Sequence, residues 1–486
     1  MNLELLAPEL SLAATAVAVV MLDLFIERKG PLAVLSIVGL VVAAGLTLAL
    51  WGNAPRAAVD GMLSVDDFSL FFKLLFTGIA GLVIMASVDY SSKFANFRGE
   101  YHALVLLSTM GMMLMAASTE LVTTYIALEL SSISLYVLAG FLKDPKSTES
   151  SLKYLLLGAI ASAVLLYGMA FVFGSTGTTQ FAEIGVVIQG LGTSGVADNP
   201  ALVLGIVLVI SGFGFKIAAV PFQMWVPDVY EGAPTPVVAF LSVASKAAGF
   251  AIILRIFSSA FGQPDWLSGN WGMIFAVLAA IGMTVGNVTA LAQSNIKRMF
   301  GYSSIAQAGY LMVGLAAMGL ASSSATLAQS TVIFFLLSYS VANLGAFIVI
   351  IAITNRTGSD LIEGFSGMGK RAPLLALGLT LCLVSLIGIP PAAGFMAKVY
   401  IFSGAVQSDL LWLVIVAVLN SVVSAVYYLQ VVKLMWLGEP ASEEKISSST
   451  ALRVALALVC LGVLFLGIVP GTAMKVAETA AWIFGS

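Results

Sequence analysis

Four lysines and one glutamate stand in, or at the mouths of, stretches that are otherwise apolar: Lys153, Lys216, Lys246, Lys398 and Glu129. A charge at the centre of a lipid-embedded helix costs roughly 2.5–3.5 kcal/mol on insertion scales, so stability does not explain their presence. Carboxylate and ammonium groups at matching depth offset much of each other's desolvation. Such a pair is also a switch. In contact both partners stay charged, and separation favours release of the ammonium proton to the next acceptor. A lysine so placed can pass protons along waters held by hydroxyl and amide side chains. Ser242, Ser245, Ser303, Ser304, Gln307, Ser338, Tyr339 and Asn343 supply such groups. Helix–helix hydrogen bonding accounts for most polar residues of this kind, so the chemical expectation rests on the ionisable ones. Moving a proton against 100 mV costs about 2.3 kcal/mol. The chain offers no nucleotide-binding loop or redox site to supply that energy.

The elements that must position these residues follow from composition. The chain has 486 residues, 60% hydrophobic and 10% charged, with a mean hydropathy of +1.03. That usage lies far outside soluble domains and predicts an all-α, multi-pass membrane protein. Cys382 and Cys460 lie inside apolar runs and His102 is the sole histidine. An iron–sulfur cluster normally takes four cysteines and a bis-histidine haem two histidines, so an electron-transfer role or a metal site is nearly excluded. A net charge of −3 gives no sign of nucleic-acid binding. The first apolar stretch follows Glu4 and Glu9 without a basic leader or a small-residue cleavage site, which predicts a retained helix.

Apolar length and breaker residues predict about fourteen spans, near 5–26, 31–51, 67–88, 101–117, 119–141, 151–174, 201–225, 236–260, 271–293, 298–319, 326–353, 372–407, 409–437 and 451–470. The basic clusters fall after odd-numbered spans: Arg28 and Lys29; Lys93 and Arg98; Lys143 and Lys146; Lys297 and Arg298; Arg356, Lys370 and Arg371; Lys445 and Arg453. By the positive-inside rule those loops are cytoplasmic, and both termini face the opposite side. Arg56 is the main exception. Lys216, Lys246 and Lys398 remain deep, Lys153 sits near the cytoplasmic end of its helix, and Lys73 and Arg255 are expected to snorkel toward headgroups.

Two spans are interrupted. In ISGFGFKIAAVPFQMW, Lys216 precedes Pro221 by five residues; in LIGIPPAAGFMAKVYIF, Pro390 and Pro391 come shortly before Lys398. Proline removes a backbone donor and frees a carbonyl one turn earlier, and in hydrocarbon that carbonyl needs a partner such as a lysine ammonium or water. Interrupted spans at corresponding positions of two halves point to a transporter's ion site, although a lone proline is often only a kink. The breaks lie five spans apart, and an odd offset reverses orientation. Spans four to eight (101–260) and nine to thirteen (271–437) are therefore expected to be inverted copies, flanked by spans one to three (1–100) and span fourteen with its tail (451–486).

The stretch FKIAAVPFQMWVPDVYEGAPTPVVAFLSVASKAAGFAIILR, from Phe215 to Arg255, resembles subunit N of proton-pumping NADH:quinone oxidoreductase, respiratory complex I. LAPELSLAATAVAVVMLDL, NIKRMFGYSSIAQAGYLMVG and GIPPAAGFMAKVYIF extend the likeness along the chain. The resemblance implies a fourteen-helix, antiporter-like proton-translocating subunit with two inverted five-helix repeats, each containing a discontinuous helix. It implies functional roles for Glu129 in the fifth helix, Lys153 in the sixth, Lys216 in the first broken helix, Lys246 at the centre and Lys398 at the exit. Lysine at 398, where subunit M carries glutamate, favours N over M, and the lack of a long lateral helix after span fourteen argues against L. NADH, FMN, iron–sulfur clusters and quinone are implied for partner subunits and none for this chain. The implied partners are the antiporter-like subunit M and the small subunits J and K, in a bacterial inner membrane. One departure is Gln307, where the family pattern YSSIxHxGY has histidine. Glutamine can order water but cannot titrate, and His102, expected at the membrane interface, is not its substitute. A stand-alone or Mrp-type cation/proton antiporter and a non-conducting scaffold remain open.

Overall fold

Hydrocarbon offers a backbone no hydrogen-bond partners, so each apolar segment closes its own bonds as a helix. The computed structural model describes residues 2–26, 30–53, 55–94, 97–320, 325–440 and 444–482. Its principal helices are α1 (Ala7–Asp23), α2 (Gly30–Leu50), α3 (Asp67–Ser87), α4 (Arg98–Ala117), α5 (Leu121–Ala139), α6 (Pro145–Thr176), α7 (Phe181–Ala197), α8 (Pro200–Ile217), α9 (Trp225–Gly232), α10 (Thr235–Ser259), α11 (Asp265–Ala290), α12 (Ile296–Leu320), α13 (Ala325–Thr357), α14 (Pro373–Ile387), α15 (Ala393–Gln407), α16 (Leu411–Leu437), α17 (Thr450–Ile468) and α18 (Pro470–Ala481). Local signals start several of them. Asp144, in front of Pro145, accepts from Ser147 N–H and Asn199, in front of Pro200, from Leu202 N–H, and Asp66 and Ser69 form a reciprocal capping box on α3.

Thirteen helices among the described residues are long and apolar enough to cross a membrane. The remaining predicted crossing, 372–407, is two helices, α14 and α15, separated by a break. The seventh crossing likewise ends at Ile217 rather than near 225, and α9 follows the break as a separate short helix. Helix α7, between the sixth and seventh crossings, and a small hairpin of β1 (Arg56–Ala58) with β2 (Leu63–Val65) were not expected from apolar length.

Burial orders the bundle. Helix α10 is buried throughout its most apolar window, and α12 and α13 nearly so, whereas α1, α2, α6, α16 and α17 face outward over most of their length. Helices α11 and α12 approach through glycine: a Cβ on Gly319 would lie 2.7 Å from Gly272 Cα, and one on Gly286 would lie 2.6 Å from Ala306 N. The odd-numbered connections meet at one end, where Asn355 donates to Asp89 O at 3.3 Å and Ser449 N to the Asp89 carboxylate at 2.9 Å. Even-numbered connections meet at the other, through Thr119 on Gly61 O and the Glu120–Gln180 bridge. Arg28 and Lys29 lie outside the described residues.

Two side chains depart from their expected interfacial positions. Lys73 is fully buried and pairs with Glu9 at 2.8 Å. Arg255 is buried too, with both terminal nitrogens on Asp66 at 2.9 and 2.8 Å and Nε on Ala116 O at 3.0 Å. His102, near the start of α4, is buried by neighbouring side chains. A basic side chain with an acid on a neighbouring helix satisfies its charge inward, and snorkelling is then unnecessary.

Candidate functional site

The polar groups of the interior begin at a half-buried carboxylate. Glu129 on α5 accepts a hydrogen bond from Ser162 of α6, whose hydroxyl also lies 3.3 Å from Tyr125 Oη. One turn further along α5, Ser132 accepts from Lys216 Nζ at 2.9 Å. Glu129 and Lys216 therefore flank the same turn without forming an ion pair, and the neutralising contact anticipated between them is replaced by a serine. A narrow cavity of about 10 Å3, lined by Ser132, Tyr136, Ser162 and Lys216 among others, has room for roughly one water beside Lys216.

The breaks deliver the lysines. Helix α8 stops where Ala218 turns left-handed at φ 63°, seating Pro221 in the link to α9. The Phe215 carbonyl accepts from Ala218 N and from the indole N–H of Trp225, each at 3.2 Å, and Lys216 reaches Ser132. At the second break Gly388 turns left-handed at φ 91°, followed by Pro390 and Pro391. There the lysine itself serves the freed carbonyls: Lys398 Nζ donates to Ile387 O at 2.7 Å, Leu386 O at 3.3 Å and Ser421 Oγ at 2.8 Å, and lies 4.5 Å from the Tyr310 ring centre. Lysine does at one break what tryptophan does at the other, because Gly388 lets the Lys398 stem fold back against it. A Cβ at Gly388 would sit 2.9 Å from Lys398 Cδ.

Lys246 occupies the centre. It follows a single π-helical turn, Leu241–Ser245, within α10. Its ammonium donates to both the carbonyl and the hydroxyl of Ser304 on α12. Tyr230 lies 3.0 Å from that hydroxyl, and Tyr339 donates to it at 3.4 Å. Asn343 donates to Ser242 at 2.7 Å; Ser245 and Ser338 are buried nearby in sequence, with Ser338 Oγ unpartnered among the described residues. Lys216 packs its stem across α10, since a Cβ on Gly249, one turn past Lys246, would lie 3.2 Å from Lys216 Cγ.

Helix α12 then carries the polar track onward. Ser303 bonds the Tyr428 hydroxyl, and Gln307, one turn after Ser304, donates to Leu386 O at 3.3 Å, the same carbonyl that Lys398 contacts. Gln307 thus meets the second break as an amide donor. Ser132, Ser162, Tyr230, Ser421 and Tyr428 complete the site; only Ser132, one turn from Glu129, carried a sequence signal.

Lys153 stands apart. Its Nζ is 2.8 Å from Asp228 on α9 and 2.8 Å from Glu149 on its own helix, with the side chain 43% exposed. Arg298 of α12 bonds Asp228 at 2.8 Å and Glu231 at 3.0 Å, and Lys146 pairs with Glu231 at 2.9 Å. Helix α9 lies outside the candidate spans. Burial alone would raise the Asp228 carboxyl, but the bonds from Lys153 and Arg298 hold it below the usual carboxylate range.

A family model described as "NADH:quinone oxidoreductase/Mrp antiporter, TM" matches residues 118–424. NADH-quinone oxidoreductase subunit N of Dehalococcoides mccartyi is 50% identical over 482 residues, covering 98% of this chain and 99% of that protein. A chain in the structure of respiratory complex I from Thermus thermophilus with bound aureothin superposes with a TM-score of 0.80 at 32% identity, covering 96% of this chain and 98% of that one. A chain of the Mrp complex from Dietzia sp. shares the fold, with a TM-score of 0.85 at 21% identity over 100% of this chain and 98% of that one.

Proposed function

The chain belongs to the subunit N family of NADH-quinone oxidoreductases, within the NADH:quinone oxidoreductase/Mrp antiporter group, and from that premise we propose that it carries protons across a bacterial inner membrane. The carriers are Glu129, Lys216, Lys246 and Lys398, linked by hydroxyls and by water. The observation that carries this reading is a series of four interior polar contacts, Glu129 with Ser162, Lys216 with Ser132, Lys246 with Ser304, and Gln307 and Lys398 on the same Leu386 carbonyl, with water bridging the gaps between them in this proposal. Interior ionisable groups at helix breaks are what a transporter's ion site requires. The two five-helix units, 101–260 and 271–437, run in opposite senses, each contributing one break. Spans one to three (1–100) and the last span with its tail (451–486) flank them.

Electron transfer from NADH to quinone, with its flavin and iron–sulfur clusters, takes place in partner subunits, and the redox energy arrives through neighbours such as subunits M, J and K. The basic loops face the cytoplasm and both termini the opposite side. The test is the number of protons pumped per electron pair by the assembled complex carrying Lys216→Ala or Lys246→Ala. A marked fall at normal assembly is expected. Unchanged stoichiometry would leave a scaffold, and sodium counterflow in liposomes holding the isolated chain would favour an Mrp-type antiporter.

A further inference from the structure

We infer that Lys153, Asp228 and Arg298 form a clamp that holds α9 between the two halves of the molecule and so sets the position of Lys216, with Lys153 acting through Asp228 and not as a carrier of protons. The inference rests on the proton-carrying reading of Lys216. Asp228 is the node: one carboxylate oxygen takes Lys153 of α6 and the other takes Arg298 of α12, each at 2.8 Å. Two further contacts fix α9 to α6. Ser150 donates to Asp228 O at 2.9 Å, and a Cβ on Gly232 would collide with Ser150 Oγ, so these helices touch with no room to shift.

From the clamp to the lysine the linkage is short. Tyr154, next to Lys153 and fully buried, stacks on Trp225 with ring centres 4.5 Å apart and planes 16° from parallel. Trp225 opens α9, and its indole N–H donates to the Phe215 carbonyl at the break. The next residue is Lys216. At the other end of the clamp, Arg298 lies on the helix that presents Ser304 to Lys246. Asp228 therefore joins the break that bears Lys216 to the helix that receives Lys246, and the spacing of the two lysines depends on it. An exposed ion pair alone contributes little to stability, but here three elements share one carboxylate and a stacked indole transmits its position.

Lys153 has no hydrogen bond to Glu129, Ser132, Ser162 or Lys216. Its ammonium is spent on Asp228 and Glu149 at the basic-loop end. A clamp needs a permanent cation, whereas a carrier needs one that can lose its proton, and arginine separates the two because it does not deprotonate in proteins.

The experiment measures protons pumped per electron pair, normalised to assembled complex, in Lys153→Arg, Lys153→Ala, Asp228→Asn and the Lys153→Ala/Asp228→Asn double variant, beside Lys216→Arg. Lys153→Arg is expected to pump at the wild-type ratio, both single losses to lower it, and the double variant to be no worse than the worse single, a coupling of about threefold relative to additivity. Loss of pumping in Lys153→Arg, or independent effects in the double variant, overturns the clamp. Lys216→Arg is expected to lose pumping; if it pumps normally, the proton role of Lys216 fails, and with it the premise, whatever the Lys153 variants do.

Discussion

An ammonium group inside a bundle must spend its donors on fixed acceptors, and the acceptor chosen decides what the lysine can do. Lys246 donates to both acceptor atoms of one residue, Ser304. Ser304→Ala removes the hydroxyl and keeps the carbonyl, so it is expected to slow coupled pumping by about tenfold while Lys246→Ala nearly abolishes it; one interior hydrogen bond to a charged group is worth about 1.5–3 kcal/mol. Equal losses in the two variants would mean that the hydroxyl is the essential partner and the ammonium only its support. Gln307 sharpens the same point. It reaches the carbonyl used by Lys398 with an amide that cannot titrate, so any proton passing that position travels on water or on the lysines themselves.

At the scale of elements, the two breaks are built from different parts for the same end. The first ends in a left-handed alanine and shares the Phe215 carbonyl between Ala218 N and Trp225; the second ends in left-handed Gly388 and gives its carbonyls to Lys398. Gly388→Ala introduces a left-handed cost of about 1–2 kcal/mol and drives a methyl into the lysine stem. Gly177 supplies the comparison, being left-handed at φ 75° with open space around its missing Cβ. Gly388→Ala is expected to lower protons pumped per electron pair in assembled complex, and Gly177→Ala to leave it unchanged. If the two behave alike, contact with Lys398 is irrelevant and only backbone strain counts. The Asp66–Arg255 pair, which the lone arginine did not reveal, serves a different purpose, tying the start of α3 to the end of α10.

For the whole molecule, connections of alternating parity converge on opposite ends, and the basic residues collect at one of them. That polarity gives a direct expectation for orientation. Lys370 and Arg56 are both exposed, on connections of opposite parity. A membrane-impermeant maleimide is expected to label Lys370→Cys in inverted vesicles and Arg56→Cys in right-side-out ones. The reverse pattern would turn the molecule over in the membrane and exchange the intake and exit ends of the track. The central helices α10, α12 and α13 are shielded by outward-facing ones. Lys246, with Ser304 and Gln307, therefore lies in the least exposed layer, where side chains meet protein and not lipid.

The chain's apolar runs determined the membrane class, most span positions and the location of both breaks, because hydrocarbon thickness and proline geometry act locally along the sequence. The deep lysines were legible for the same reason: a charge in an apolar run is visible without knowing its neighbours. What each one touches was not. Whether Lys73 and Arg255 reach outward or inward depended on Glu9 and Asp66, which are distant in sequence, and the place of Lys153 in a clamp depended on Asp228 and Arg298 from two other elements. Hydrophobic periodicity encodes burial, but the partner of a buried charge is fixed only when helices far apart in the chain pack at one depth, and that is a property of the tertiary structure.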